Sequence, residues 1–159
     1  VHYKTIYAAG TKGGGVVLDS GSHVVDYLIS LFGKIQSGAA LKSTLHTIGI
    51  QREESAALIF RHESGMLSSM TVDYVSRRPV HTIEVTTEKG TLSLDLRDDV
   101  LYFRSDARQK ILYRGSGELN TMFIDELSHF LTCVKNGLQP KQDVLKAKET
   151  LRALLSVSK

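Results

Sequence analysis

An aspartate and a histidine four residues apart, Asp19 and His23, follow a run of glycines and form the strongest chemical feature of the chain. Because an α-helix has 3.6 residues per turn, side chains at this spacing stack on one helix face. An imidazole titrates near neutral pH and can take a proton from a hydroxyl group, while a carboxylate one turn away can orient that hydroxyl. The spacing therefore indicates a candidate acid/base pair, with His23 as the acid/base and Asp19 orienting the substrate.

The same residues also fit a structural explanation. Asp19 and Ser20 are of the types that cap helix N-termini by accepting hydrogen bonds from unpaired amides. His23 can lie on the solvated face of an amphipathic helix, on a polar stripe that continues through Asp26 and Ser30. The pattern alone leaves both interpretations open.

Three glycines at 13–15 precede this helix, with Lys12 directly before them. The run lacks the GxGxxG spacing of a dinucleotide-binding loop. Glycines here allow an unusual turn or a close approach of the backbone, and the free amides at a helix start can bind an anion. The glycines at 13–15 and Lys12 are therefore candidate ligand contacts, with a purely conformational role for the glycines and a merely solvated lysine as the alternative.

Composition is typical of one soluble globular domain over residues 1–159, with 42% apolar and 23% charged residues. The net charge of +3 is spread along the chain, which argues against a nucleic-acid partner. Cys133 is the single cysteine, so the chain has no internal disulfide and no cysteine-based zinc site. No secretory signal and no apolar run of about 18 residues is present, so we expect a cytoplasmic protein without a membrane partner.

The remaining histidines and serines do not form a recognisable catalytic or metal-binding pattern. Spacings typical of metal ligands are absent, and the DSGSH block does not match the GxSxG nucleophile turn. His62 and His81 fall in predicted strands and are interpreted as sheet residues. We therefore predict no metal site.

The predicted elements are a helix over 16–32, a series of strands between 38 and 114, and two closing helices. Tight turns join successive strands, which favours antiparallel pairing. Serine and threonine on one strand face indicate a sheet that helices cover on one side only. The fold class is therefore α+β: an open, predominantly antiparallel sheet with helices on one face.

Three segments together resemble the C-terminal domain of the Gfo/Idh/MocA oxidoreductases, the glucose-fructose oxidoreductase and inositol dehydrogenase family. They are GGGVVLDSGSHVVDYLISLFG at 13–33, EVTTEKGTLSLDL at 84–96 and FIDELSHFLTCVKNGLQP at 123–140. The DSGSH block is the most specific of them. The resemblance extends over essentially the whole chain.

Full-length members of that family carry an N-terminal Rossmann domain that binds NAD or NADP, together with a Glu-Lys-Pro motif. This chain contains neither GxGxxG nor Glu-Lys-Pro and begins with Val1, so the resemblance implies the substrate-binding and oligomerisation half of a longer enzyme. It also implies that Asp19 orients the substrate hydroxyl and that His23 is the acid/base. Lys12, Gly14 and Gly15 then lie near the substrate, and the open sheet face is a dimer surface.

The implied function is NAD(P)-dependent oxidation or reduction at a hydroxyl or ketone of a sugar, a nucleotide sugar or a cyclitol such as inositol. We expect this chain alone to be inactive and to bind no cofactor, and no residue of it is assigned to cofactor binding. The expected partners are a small-molecule substrate, the Rossmann domain and further copies of the chain. The alternative is a non-catalytic dimerisation or ligand-binding module with the same fold; a metal-dependent hydrolase would need further ligands that the sequence does not offer.

Overall fold

The computed structural model describes residues 14–106, 108–116 and 118–157, and this part of the chain forms four helices and seven strands. In chain order these are α1 (Gly15–Leu18), α2 (Ser20–Phe32), β1 (Ile35–Ser43), β2 (Ser55–His62), β3 (Leu67–Asp73), β4 (Thr82–Thr87), β5 (Gly90–Asp95), β6 (Val100–Ser105), β7 (Arg108–Arg114), α3 (Leu119–Asn136) and α4 (Val144–Val157). All strand pairs are antiparallel. The predicted α+β class with antiparallel strands is confirmed.

The strands form two sheets, and the chain divides into two compact units. One sheet has the order β1-β2-β3 and belongs to the unit made of residues up to 76 and from 141 onward. The other sheet has the order β4-β5-β6-β7 and lies in the unit of residues 77–140.

In the first unit the sheet has one covered and one open face. Along β2, Leu58 and Phe60 are buried while Ile59 between them is 60% exposed. Since side chains alternate between the two faces of a strand, one face meets the core and the other meets solvent. The helices α1, α2 and α4 all contact this sheet, and Val25 and Leu154 join its buried side chains in one core. The predicted helices on one face are thus present here.

A buried histidine ties the end of α2 to this sheet. His62 is 0% exposed, and its Nδ1 lies 2.7 Å from the carbonyl oxygen of Gly33, which can only accept, so Nδ1 carries the proton. Nε2 lies 2.9 Å from the hydroxyl of Ser68 and accepts from it in the neutral ring. The interpretation of His62 as a structural sheet residue is confirmed.

The second unit is a meander of four strands, and the chain continues into α3. Glu88 and Lys89 form the turn between β4 and β5, and Gly90, which begins β5, has a φ of 143°. The helix α3 ends at Gly137, whose φ of 64° is the left-handed conformation favoured at helix ends. Cys133 is buried on α3, consistent with a structural thiol.

A carboxylate is buried just before β2. Glu54 is 2% exposed, and its Oε1 accepts from the backbone N–H of Ile48 at 3.1 Å. Burial acts to raise the pKa of this carboxyl group. Hydrogen bonds from the backbone of Ile48 and Thr47 and from the Thr47 hydroxyl, together with the nearby charge of His46, outweigh that effect and hold the pKa below its usual value of 4.5.

We expect Glu54→Gln to flatten the acid dependence of stability. In the wild-type chain the folded state releases the Glu54 proton more readily than the unfolded state, so its contribution is present above the usual pKa and is lost as pH falls through the lower folded pKa. Denaturant unfolding of both proteins between about pH 7 and pH 3 measures this, with the exposed Glu63→Gln as control. Equal acid dependence in wild type and Glu54→Gln would contradict the prediction.

Candidate functional site

Asp19 interrupts the helix that the sequence predicts over 16–32. Its ψ of −82° departs from helical geometry, so α1 ends before it and α2 begins after it. The prediction of one continuous helix is therefore wrong at this residue. Aspartate has a low helix propensity because its side chain competes for other hydrogen bonds.

The Asp19 side chain is engaged with a residue far away in the sequence. Asp19 is half-buried, and its Oδ2 accepts a hydrogen bond of 2.8 Å from the hydroxyl of Tyr74, which directly follows β3. Asp19 occupies the N-cap position of α2, yet its side chain makes no capping hydrogen bond. Capping is therefore not what this carboxylate does.

The glycine inside the DSGSH block brings α2 close to β3. Gly21 is buried, and a Cβ atom there would lie 3.2 Å from the Cε atom of Met70 on β3. The absent side chain lets the first turn of α2 pack closely on this strand. That packing places Asp19 within reach of Tyr74 at the strand's end.

His23 lies one helical turn after Asp19, on α2, and is exposed. Within the described ranges, no hydrogen bond joins the two side chains, and the His23 ring has no hydrogen-bond partner. The structure therefore places the two predicted residues on one short segment, with the Asp19 carboxylate held by Tyr74 and the His23 imidazole exposed.

The glycine that begins α1 packs against a second carboxylate. Gly15 is buried with a φ of 69°, and a Cβ atom there would lie 2.4 Å from Oε2 of Glu53. Gly14 is the N-cap residue of α1, and the N–H of Val16 donates to the Glu53 carbonyl oxygen at 3.3 Å. Glycine is thus required at 15 by both conformation and space. Lys12, the third predicted contact of this loop, lies outside the described residues.

The two carboxylates act on the tyrosine between them. Burial, the hydrogen bond to Asp19 and the charges of Asp19 and Glu53 raise the pKa of Tyr74 well above its ordinary value of 10. Tyr74 therefore stays protonated and donates to Asp19 throughout the physiological pH range. Sequence reasoning missed Tyr74 and Glu53, because no local pattern connects either of them with the DSGSH block.

Asp26 continues the predicted polar stripe but serves a different purpose. Its Oδ2 accepts from Nε2 of Gln142 at 2.6 Å, and its Oδ1 accepts from the hydroxyl of Thr150 on α4 at 3.1 Å. This carboxylate therefore joins α2 to α4. It belongs to the packing of the unit and not to the candidate site.

Two further features are absent from the described part of the chain. There, no cluster of three or more histidine, cysteine, aspartate or glutamate side chains has the arrangement of a metal site. None of the helices covered by the structure combines the length and apolar character that crossing a bilayer requires.

Comparison with known proteins places these features in a family. Residues 3–93 match the model of the GFO/IDH/MocA C-terminal domain. A curated relative, D-apiose dehydrogenase from Paraburkholderia graminis, is 27% identical over 79% of this chain and 37% of its own length.

Solved structures show the same fold at low sequence identity. An oxidoreductase from Agrobacterium radiobacter, in complex with NAD⁺, L-tartaric acid and magnesium, has a TM-score of 0.80 at 15% identity, covering 98% of this chain and 49% of that one. UDP-N-acetylglucosamine 3-dehydrogenase GnnA from Acidithiobacillus ferrooxidans has a TM-score of 0.74 at 16% identity, covering 86% of this chain and 43% of that one. The chain therefore spans less than half the length of these proteins.

Proposed function

The chain belongs to the GFO/IDH/MocA family through its C-terminal domain, and on that premise we propose that it is the substrate-binding half of an NAD(P)-dependent oxidoreductase. Its substrate is a sugar, a nucleotide sugar or a cyclitol, and the reaction oxidises a hydroxyl group or reduces a ketone group of that molecule. One observation carries the proposal: the Asp19 carboxylate is half-buried and held by Tyr74 at a helix break, one turn before an exposed His23.

In the proposed reaction His23 acts as the acid/base. The neutral imidazole accepts the proton of the substrate hydroxyl as the alcohol becomes a carbonyl, and in the reverse direction the imidazolium returns it. Asp19 accepts a hydrogen bond from a neighbouring substrate hydroxyl and so holds the reacting hydroxyl toward His23. The hydride that leaves the same carbon would pass to a nicotinamide cofactor held by another domain of the longer protein, and no described residue of this chain is assigned to that cofactor.

The described residues do not fit the phosphates of the cofactor. A glycine-rich turn at a helix start is an ordinary place for a phosphate, but here the Glu53 carboxylate lies against Gly15. A pyrophosphate at this loop would be repelled by the negative charge, whereas the hydroxyl groups of a sugar ring can donate hydrogen bonds to it. We therefore assign the cofactor to a nucleotide-binding domain of the longer protein, and the substrate to the loop of Lys12, Gly14 and Gly15.

A turnover assay of the full-length protein tests this function. D-Apiose, UDP-N-acetylglucosamine, D-glucose and myo-inositol are each supplied with NAD⁺ or NADP⁺, and the reduced cofactor is followed by its absorbance. We expect oxidation of at least one of them. Sugar binding without any turnover would instead favour the non-catalytic ligand-binding module.

The open face of the β1-β2-β3 sheet is the surface that we propose for a second copy of the chain. Leu41, Ile59 and Leu67 lie on this face, with Leu41 opposite Ala57 and Leu67 opposite Arg61, and are 80%, 60% and 68% exposed. Contiguous exposed apolar side chains of this kind mark interaction surfaces, and most soluble oligomers pair identical patches.

We expect Ile59→Lys to convert the oligomer into monomers, because a lysine at the centre of this face places an unpaired charge between the two copies. Sedimentation velocity of the full-length protein measures the change. Leu31→Lys, which alters an equally exposed leucine on α2, is the matched control and should leave the oligomer intact. An Ile59→Lys protein that sediments like the wild type would contradict this interface.

A further inference from the structure

We propose that Tyr74 is a positioning residue for Asp19: its hydroxyl holds Oδ2 of the carboxylate and leaves Oδ1 to meet the substrate hydroxyl. The inference rests on the proposed function, since it assigns a partner to the residue that orients the substrate. It adds to that function a group that lies 55 residues away in the sequence and outside the DSGSH block.

The backbone around Tyr74 is fixed on both sides. Its N–H donates to the carbonyl oxygen of Glu54 at 2.9 Å. The turn that follows is held by the Asp73 carboxylate, which accepts from the N–H groups of Val75 at 2.9 Å and Ser76 at 2.6 Å. The ring itself packs against the apolar core. The hydroxyl is therefore presented from a rigid support and can define where the carboxylate lies.

The carboxylate that it holds has few other constraints. Asp19 lies at the break between two helices and makes no capping bond, so its side-chain torsions would otherwise be free to turn. The hydrogen bond to Oδ2 restricts rotation of the carboxylate group, and because the group is planar the range of Oδ1 positions is restricted as well. The lone pairs of Oδ1 that accept no hydrogen bond from Tyr74 then point in a defined direction, as orienting a substrate requires.

The negative charges of Asp19 and Glu53 keep the Tyr74 hydroxyl protonated, so Tyr74 is always the donor of its hydrogen bond to Asp19. Tyr74 lies near both Asp19 and Glu53, and both carboxylates disfavour a tyrosinate. Tyr74 therefore donates at every pH at which a histidine changes its protonation state. Proton transfer during turnover therefore leaves Tyr74 as the hydrogen-bond donor to Asp19.

The bond itself is tested by ¹³C NMR of the 159-residue chain with labelled tyrosine, in which Tyr74→Phe identifies the Tyr74 signal. We expect Tyr74 to titrate above the ordinary tyrosine range, and Asp19→Asn to lower its midpoint toward that range. Glu53→Gln, which removes a nearby charge but no hydrogen bond, should lower it less. A Tyr74 midpoint that does not respond to Asp19→Asn overturns the inference.

The positioning role is tested by kinetics of the full-length protein with the substrate of the panel that it oxidises fastest. We expect Tyr74→Phe to lower kcat about ten- to a hundredfold with KM changed less than about twofold, since the loosened carboxylate still binds but no longer orients. Tyr113→Phe, an exposed tyrosine of β7, is the control and should keep wild-type values.

The outcomes separate this inference from the proposed function. One outcome is that His23→Ala is inactive while Tyr74→Phe keeps the wild-type kcat and only lowers the unfolding temperature. Tyr74 then has a purely structural role, so the positioning role is overturned while the proposed function stands. If His23→Ala keeps wild-type turnover, the proposed function fails and the positioning role falls with it. Loss of kcat in both variants, with the shifted Tyr74 titration, supports both.

Discussion

Replacement of His23 by alanine is expected to lower kcat of the full-length enzyme about 10²- to 10⁴-fold, the range that a general acid/base contributes. His23 is exposed on α2 and has no hydrogen-bond partner among the described residues, so its removal should not disturb packing. Alanine also has the higher helix propensity. The variant should therefore unfold at the wild-type temperature or slightly above it.

Steady-state kinetics with the fastest substrate of the panel, together with thermal unfolding, measure both quantities. Ser30→Ala is the matched control, because Ser30 is exposed further along the same helix. It should leave kcat unchanged. A His23→Ala enzyme with nearly wild-type kcat would contradict the assignment of the acid/base.

Asp19→Asn is expected to lower kcat/KM about a hundredfold, because the amide keeps the shape of the carboxylate but lacks the charge that orients and polarises the hydroxyl. Asp26→Asn provides the contrast on the same helix. Asp26 bonds Gln142 and Thr150, so this variant should lose about 1 kcal/mol of stability and keep its kcat/KM.

We thus expect Asp19→Asn to lower kcat/KM and Asp26→Asn to lower stability instead. Kinetics and denaturant unfolding of both proteins measure the difference. Equal effects of Asp19→Asn and Asp26→Asn on kcat/KM would show that neither carboxylate is specific to the reaction, and the assignment of Asp19 would be lost.

Elements with strong local signals could be predicted from the sequence. The hairpin between β2 and β3 turns at residues 63–65, where Gly65 has a φ of 85°, and α3 ends at Gly137 as its glycine indicates. Short connections also predicted antiparallel neighbours. In each case the residues that determine the turn or the helix end are close together in the chain, so the local sequence pattern is enough to predict it.

The break at Asp19 could not be predicted, because its causes are distant in the sequence. The apolar periodicity of 16–32 continues through Asp19, yet the carboxylate bonds Tyr74, and Gly21 packs on Met70. The division of the strands into two sheets likewise depends on long-range pairing. The pairing of Asp26 with α4, which separates it from the candidate site, has the same origin.

The contact between Gly15 and Glu53 is a third case. The glycine run at 13–15 predicted that some group approaches the backbone closely, but the sequence did not indicate which group. The structure supplies a carboxylate of the chain itself, and its charge disfavours a phosphate next to Gly15.

The most direct measurement of whether Asp19 and His23 act together on one hydroxyl is a double-variant cycle. Single-turnover hydride transfer is compared among wild type, His23→Ala, Asp19→Asn and the protein carrying both changes. Residues that act as a unit have non-additive effects. The double variant should therefore be hardly slower than the slower single variant. If the two losses multiply instead, the residues act independently and the proposed acid/base pair is contradicted.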